Sequence, residues 1–506
     1  MANTLLFHDY ETFGADPKRD RPSQFAAIRT DEDLNEIDEP IMIYAKMQED
    51  TLPAPMACMI TKITPSEVDE KGIPEYEFIN KIVNEMSKPN TCSLGYNTIN
   101  FDDEVTRNTL YRNLKDPYER EFRNGCSRWD LIDVVRLSVA IYPDIIKLGN
   151  REGKVSYKLE DLSKENGILH EAAHDALSDV RATIGIAKII KDKAPMLFEK
   201  LFEQRAKNNV KVEVESGKPL LIASSFFGSE HKYVDFVLPI TPNPNNLNEY
   251  FCLKLTRPQE ELSNLMNNSS ELIKELLFST KEELEEKNEI RPALHTIRIN
   301  KCPVLISTDT LRDLFPNDNE RKQVYENLGF EMDQIIQSYK MVVKNKETIK
   351  EKLLDVYKPI EYPALNDCDI EIYNGFPSNN DKKSFTSFAK DLKYGDVEKY
   401  FTGVFEKDKY KELAFRIVAR NYPEKLAELG SEYESKWKEH CQNRLFNKVN
   451  DSVSMNFDEY FQEIKTLKVD ERFKDDSYQR VLNELENYGN DLKQKFQPKK
   501  KLSFKP

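Results

Sequence analysis

The chain has 506 residues, 39% of them hydrophobic and 32% charged, with a formal net charge of −14 at pH 7. That length is too great for one hydrophobic core and predicts two or three domains, while the balance of residue types excludes a disordered chain. No apolar stretch approaches the roughly 18 residues that span a bilayer, and Asp9 and Glu11 stand where a signal peptide would be basic and then purely apolar, so a cytoplasmic protein with no membrane association is expected.

In chain order, TLLFHDY (4–10) reads as a buried strand that runs into a D-x-E pair, Asp9 and Glu11. PIMIYAKM (40–47) is a second strand, and PEYEFINKIVNEM (74–86) has the apolar spacing of an amphipathic helix. TCSLGYN (91–97) returns to a strand, DEVTRNTLYRNL (103–114) to a helix, and AAHDALSDVRATIGIAKIIKD (172–192) is the clearest helix of all. Strands separated by helices predict an α/β fold around one central sheet. From about residue 205 the texture changes: VKVEVES, KPLLIASSFF, KYVDFVLPI, EYFCLKL and ALHTIRINKCPVLIS read as short strands of a small β-rich domain. A charged helical stretch, ELIKELLFSTKEELEEKNEI (271–290), interrupts them as a solvated face. Helical patterns dominate from about 350, and KQKFQPKKKLSFKP closes the chain as a basic tail.

The acidity is not spread evenly. Residues 1–190 hold 23 Lys+Arg against 34 Asp+Glu, whereas 191–360 hold 25 against 27 and 361–506 hold 26 against 27. The excess therefore sits with the opening carboxylate pair. Seven cysteines are scattered, without CxxC spacing, which excludes a cysteine zinc site and a disulfide framework and reads them as small core residues.

Side chains at i and i+2 of a strand share a face, so Asp9 and Glu11 are set side by side. A second acidic element, GYNTINFDDEVTRN (95–108), puts Asp102 and Asp103 where a strand gives way to a helix. A third, HEAAHDALSDV (170–180), puts His174 five residues before Asp179 near the start of a helix. Each alone is a weak signal, because such pairs are common on surfaces. Their order within one α/β segment is the informative feature. Carboxylates gathered at the end of a sheet raise one another's pKa values. Two divalent cations relieve that repulsion, Mg²⁺ preferring carboxylate and phosphate oxygens. Such a pair, about 3.5–4 Å apart, serves phosphodiester cleavage, with a histidine available to take a proton near neutral pH.

The three motifs resemble those of the DEDDh 3′→5′ exonucleases. Together with DRPSQFAAIRTD, SRWDLIDVVR, INKCPVL (299–305), YNGF (373–376) and ARNYP (419–423), they resemble the bacterial exodeoxyribonuclease I family over nearly the whole chain. The resemblance implies an RNase H-like exonuclease domain with a mixed central sheet (1–195), an SH3-like domain with a helical insertion (196–352) and a helical C-terminal domain with the basic tail (353–506). It implies processive 3′→5′ degradation of single-stranded DNA to nucleoside 5′-monophosphates, in repair and recombination. It also implies a monomer that binds the single-stranded-DNA-binding protein.

Carried over by position, Asp9, Glu11, Asp102 and Asp179 are the expected ligands of two Mg²⁺ ions, with Mn²⁺ as an alternative, and His174 is the expected general base. Glu11 also falls near the terminal nucleotide. Asp103 is read instead as a first-turn residue favoured by the helix dipole, and Asp175 as a non-ligand. The expected DNA contacts are Arg107, Tyr118, Phe122, Arg136, Lys158 and Lys301. Arginine suits phosphates, and aromatic rings stack on unpaired bases without reading sequence. Lys158 stands where the family has arginine and Phe122 where tryptophan is familiar, which weakens the first contact and preserves stacking in the second. His8 is read as a strand-end residue, and His231, His295 and His440 as structural. The competing readings are a DEDDh enzyme acting on RNA ends or polymerase errors, a DNA-binding module without cleavage, and a scaffold.

Overall fold

The computed structural model describes residues 3–168, 175–358, 365–448 and 451–498. Its first region is built on a five-stranded sheet of β1 (Thr4–Thr12), β2 (Pro22–Thr30), β3 (Ile41–Tyr44), β4 (Thr91–Gly95) and β5 (Ser127–Asp130), in the order β3-β2-β1-β4-β5. β2 runs antiparallel to β1 and β3, and β4 runs parallel to β1 and β5, so the sheet is mixed. Helices around it include α1 (Glu75–Met86), α2 (Asp102–Arg112), α3 (Ile132–Ile141) and α4 (Ala176–Lys193).

The period-two alternation of β1 sorts its residues between two layers. Leu5 and Phe7 pack with Ala26, Ile28 and, from α4, Val180 and Ile184. Leu6 and Tyr10 pack with Phe25, Phe78, Ile79 and Val105 on the α1/α2 side. Asp9 and Glu11 continue the row begun by Leu5 and Phe7. β2 is buried at all nine positions, so PSQFAAIRT shows no polar–apolar alternation and is inconspicuous as a strand in the sequence.

The second region begins beyond a small hairpin, β6 (Gly149–Arg151) and β7 (Lys154–Ser156). Its sheet is β8 (Leu220–Ala223), β9 (Val234–Asn243), β10 (Asn246–Lys254), β11 (Leu294–Arg298) and β12 (Leu305–Ser307), ordered β11-β10-β9-β8-β12 with every neighbouring pair antiparallel. The charged stretch at 271–290 is helical, as Ser270–Phe278 and Lys281–Lys287, and Thr280 and Glu283 form a capping box between them. One sequence expectation is corrected. VKVEVES, which alternates like a strand, lies in a helix, Lys207–Glu215. Val210 and Val214 are one helical turn apart and buried, while Val212 between them is exposed. Valine spacing of four fits both periods, and packing against the β-sheet core decided for the helix.

The third region is helical, with α5 (Asn379–Tyr394), α6 (Asp408–Asn421), α7 (Ser431–Leu445), α8 (Phe457–Val469) and α9 (Asp476–Phe496). Lys493 and Lys495 of the expected tail lie in the last turn of α9, and 499–506 lie outside the described residues. Both flanking regions share core with the first: Trp129 and Val134 belong with Phe236 and Leu253, and Phe13, Tyr76 and Tyr111 with Phe388, Phe415 and Trp437. Among the described residues, no helix is long and apolar enough to cross a membrane.

Candidate active site

Three elements bring the acidic motifs together. Asp9 and Glu11 end the α4-facing row of β1, and Asp179 lies in the first turn of α4. One carboxylate oxygen from each of these three lies within 4.8 Å of the others. The Ala176 backbone N–H donates to Gln24 Oε1 at 3.3 Å and seats the start of α4 on β2. Asp175 is the N-cap of α4, its carboxylate accepting from the Ser178 N–H at 3.3 Å.

Asp102 opens α2, and its Oδ1 accepts from the Tyr10 backbone N–H at 3.0 Å, which ties it to β1 between Asp9 and Glu11. The approach to Asp102 is itself held. Asp130, at the end of β5, accepts from the backbone N–H groups of Asn97, Ile99 and Ile132 at 2.8, 2.9 and 3.0 Å. Gly95 is required at the close crossing of β4 and β1, because a Cβ there would fall 2.5 Å from the His8 carbonyl oxygen.

Electrostatics distinguishes this group from ordinary buried acids. Burial and then the neighbouring carboxylates Asp102, Glu11, Asp179 and Asp175 hold Asp9 well above the usual range. Burial, Asp179, Asp102 and Asp175 push Glu11 up to about 9. Burial raises Asp102 to about 8, against the opposing pull of the Tyr10 N–H. Among the described residues, the charged neighbours that shift Asp9 and Glu11 most are carboxylates, the condition a bound cation relieves. The donor set is all oxygen, which suits Mg²⁺ or Mn²⁺.

Asp103, one residue on, is in the opposite situation. Burial would raise its carboxyl, but Arg120 and Arg128 override that and hold it well below the usual range. Arg120 Nη2 lies 2.5 Å from one of its oxygens and Arg128 Nη1 2.8 Å from the other. The helix-dipole reading of Asp103 is therefore incomplete: its main partners are two buried arginines. His8 is buried on the far face of β1, stacked on Phe25, and burial lowers it to about 4. A second buried acidic group, Asp367, Cys368 and Asp369, also brings its ligand atoms within 4.8 Å of one another. It is filled by guanidinium groups: Arg416 is 2.6 Å from Asp367, and Arg420 is 2.5 Å from Asp369.

His174 lies outside the described residues. Of the expected DNA contacts, Phe122 is 67% exposed and Lys158 is exposed at the N-cap of the helix Leu159–Glu165. The others carry partners already. Arg107 is buried and spends its fork on Glu121, at 2.7 and 2.8 Å, and on Glu104 at 2.7 Å. Lys301 reaches the same Glu104 at 2.6 Å. Arg136 pairs with Asp133 at 2.6 Å and lies over the Tyr233 ring. Tyr118 is half-buried beneath Arg107. It borders a cavity of about 510 Å³ between the first and third regions, lined also by Lys115, Arg123, Phe376 and Lys382. Sequence reasoning missed Asp130 and the Arg120–Arg128 pair, whose roles depend on chain crossings that no local motif announces.

Known proteins match this architecture region by region. The exonuclease family model covers residues 6–187, the exonuclease I SH3-like domain 204–359 and the exonuclease I C-terminal domain 366–492. Exodeoxyribonuclease I of Haemophilus influenzae is 40% identical over 446 residues, 87% of this chain and 90% of that protein. The Escherichia coli enzyme is 37% identical over 87% of this chain and 89% of its own length. Among solved structures, the zinc-bound form of an E. coli exonuclease I–single-stranded DNA complex superposes with a TM-score of 0.86 at 34% identity, covering 97% of this chain and all of that one. A moderately thermophilic exonuclease I from Methylocaldum szegediense gives 0.87 at 36% identity over the same shares. The mixed sheet is thus that of an RNase H-like exonuclease domain, followed by an SH3-like domain and a helical C-terminal domain. The chain belongs to the exodeoxyribonuclease I family.

Proposed function

We propose that this protein is an Mg²⁺-dependent 3′→5′ exonuclease that degrades single-stranded DNA processively to nucleoside 5′-monophosphates, acting in the cytoplasm in DNA repair and recombination. The observation that carries the reading is the convergence of Asp9, Glu11 and Asp179 within 4.8 Å, with Asp102 tethered to the strand between the first two. Complexes of E. coli exonuclease I with single-stranded DNA support the substrate class. Zinc-bound and metal-free forms of that complex support a divalent metal.

Asp9, Glu11, Asp102 and Asp179 would hold two cations. When bound, these supply Lewis acidity that activates a water and stabilises the leaving oxygen. The chain's own residues do the rest. The Tyr10 N–H keeps Asp102 in one orientation. His174, five residues before Asp179, takes the proton of the attacking water. The water oxygen bonds to the last phosphorus in line, the bond from that phosphorus to the 3′-oxygen breaks, and a nucleoside 5′-monophosphate leaves. Glu11 lies beside the terminal nucleotide. Phe122 and Tyr118 offer rings for unpaired bases, and Arg107, Arg136, Lys158 and Lys301 offer positive charge to phosphates. Family membership supports a monomer that binds the single-stranded-DNA-binding protein, with domains at 1–195, 196–352 and 353–506.

The test uses a single-stranded DNA oligonucleotide labelled at its 5′ end, with Mg²⁺, and matched duplex and RNA controls. A ladder shortening from the 3′ end, with wild type only on single-stranded DNA, is expected. Binding without cleavage would replace this reading with that of a binding module, and faster cutting of RNA would move the protein to another DEDDh branch.

A further inference from the structure

The ligand turn at Asp102 is tied to the SH3-like domain by a buried chain of contacts. Asp103, the next residue, holds Arg120 at 2.5 Å and Arg128 at 2.8 Å. Arg128 reaches out of β5 with its other terminal nitrogen and donates to the Asn300 carbonyl at 2.6 Å. That carbonyl belongs to the INKC turn between β11 and β12. The same turn makes two further contacts: Cys302 Sγ donates to the Arg128 carbonyl at 3.2 Å, and Lys301 Nζ lies 2.6 Å from Glu104, in the first turn of α2. Glu104 is shared with Arg107, which is bidentate to Glu121, and Glu121 Oε2 lies 3.2 Å from Arg128 Nε. Cys302 is held at φ +46°, a conformation unusual for a side chain with a Cβ, so surrounding contacts define the turn.

We propose that Asp103 and Arg128 are positioning residues that clamp the first turn of α2 between the sheet and the INKC turn, so that the SH3-like domain fixes the orientation of the metal ligand Asp102. The inference rests on the reading of Asp102 as a ligand. A first-turn carboxylate on a free helix end would sweep through several orientations. Here residues 103 and 104 are each held by cations anchored elsewhere, and the Tyr10 N–H fixes Asp102 itself. Partners that orient metal ligands typically set affinity or activity by about 10- to 100-fold.

The experiment compares wild type, Arg128→Lys, Asp103→Asn and a control, Arg416→Lys, which alters a buried ion pair inside the C-terminal domain. Lysine keeps the charge at 128 but cannot reach Asp103, Glu121 and Asn300 together. Mn²⁺ affinity is measured by calorimetry, alongside kcat and KM on single-stranded DNA and the melting temperature. Arg128→Lys should weaken Mn²⁺ binding about 10-fold and lower kcat by a similar factor, with KM for DNA within about two-fold. Arg416→Lys should lower the melting temperature without changing Mn²⁺ affinity. Asp103→Asn should follow Arg128→Lys, and if it does not fold, Arg128→Lys decides. A folded Arg128→Lys with wild-type Mn²⁺ affinity and kcat overturns the proposal. A wild type that neither binds Mn²⁺ nor cuts DNA overturns the reading beneath it instead.

Discussion

Asp102 and Asp103 are neighbours in sequence and both buried, yet their environments oppose each other. Asp102, although it accepts the Tyr10 backbone N–H, is pushed up to about 8 by burial, and Asp103 receives two guanidinium groups and is held below the usual carboxylate range. The contrast extends to whole regions. At the end of β1 the charges that shift Asp9 and Glu11 are, among the described residues, other carboxylates. Between the exonuclease and C-terminal domains, Asp50 and Asp369 are surrounded by Arg420, Arg444 and Arg416, with Arg21 reaching Asp369 and His440 reaching Asp50. Buried acids paired with arginine serve the architecture. Buried acids gathered at the end of β1 instead raise one another's pKa values, the condition the proposed cations would relieve. Counting carboxylates would not separate the two groups, since Asp367 and Asp369 also sit within metal-ligand spacing.

Breaking the first group should cost chemistry, and breaking the second should cost stability. Asp179→Ala should lower cleavage by roughly 10⁴-fold or more, since it removes part of a site worth several kcal/mol to the transition state, while gel-shift binding of DNA persists. His174→Ala should slow the reaction by about 10²–10⁴-fold in single-turnover assays at neutral pH, and a rate near wild type would remove it as the base. Among other arginine-paired acids, Glu75→Ala strands the buried Arg112, whose fork lies 2.6 and 2.8 Å from Glu75. It should cost about 3–5 kcal/mol in denaturant unfolding and leave the rate of the folded enzyme unchanged. Phe122→Ala removes an exposed ring and should weaken oligonucleotide binding by about 1–3 kcal/mol if one base stacks there.

The smallest expected effect separates the groups by sign. Without divalent metal, Glu11 and Asp102 titrate near 9 and 8 in the folded protein and near 4 when unfolded. The folded state therefore binds more protons, and their contribution to stability is lost as pH rises through that window. Glu75, held down to about 2 chiefly by Arg112 against the effect of burial, contributes stability above pH 4 that is lost as pH falls toward 2. The rise in melting temperature on adding Mg²⁺ should accordingly grow between about pH 5.5 and pH 8.5. A rise that shrinks over this range would contradict the assignment.

Much of this was legible in the sequence, for physical reasons. The D-x-E pair is visible because a strand's period places i and i+2 on one face, and the helix at 75–86 shows its apolar spacing plainly. β2 was not, because a strand buried on both faces carries no alternation. The helix at 207–215 was misread because valines at 210, 212 and 214 satisfy a strand pattern while only the first and last are buried. The partners of Asp103 were invisible for another reason. Arg120 and Arg128 lie 17 and 25 residues away, and no local motif links them to Asp103. Arg107 and Lys301 show the converse, since residues suited to phosphate are held in the folded protein by Glu104 and Glu121.

The most direct test is an anomalous difference map from crystals of this protein soaked in Mn²⁺. Peaks bounded by Asp9, Glu11, Asp102 and Asp179, with none at Asp367 and Asp369, are the result the account predicts. No peak at the first group, or one at the second, would contradict the claim that carboxylates gathered beside one another and carboxylates paired with arginine divide the labour of this fold.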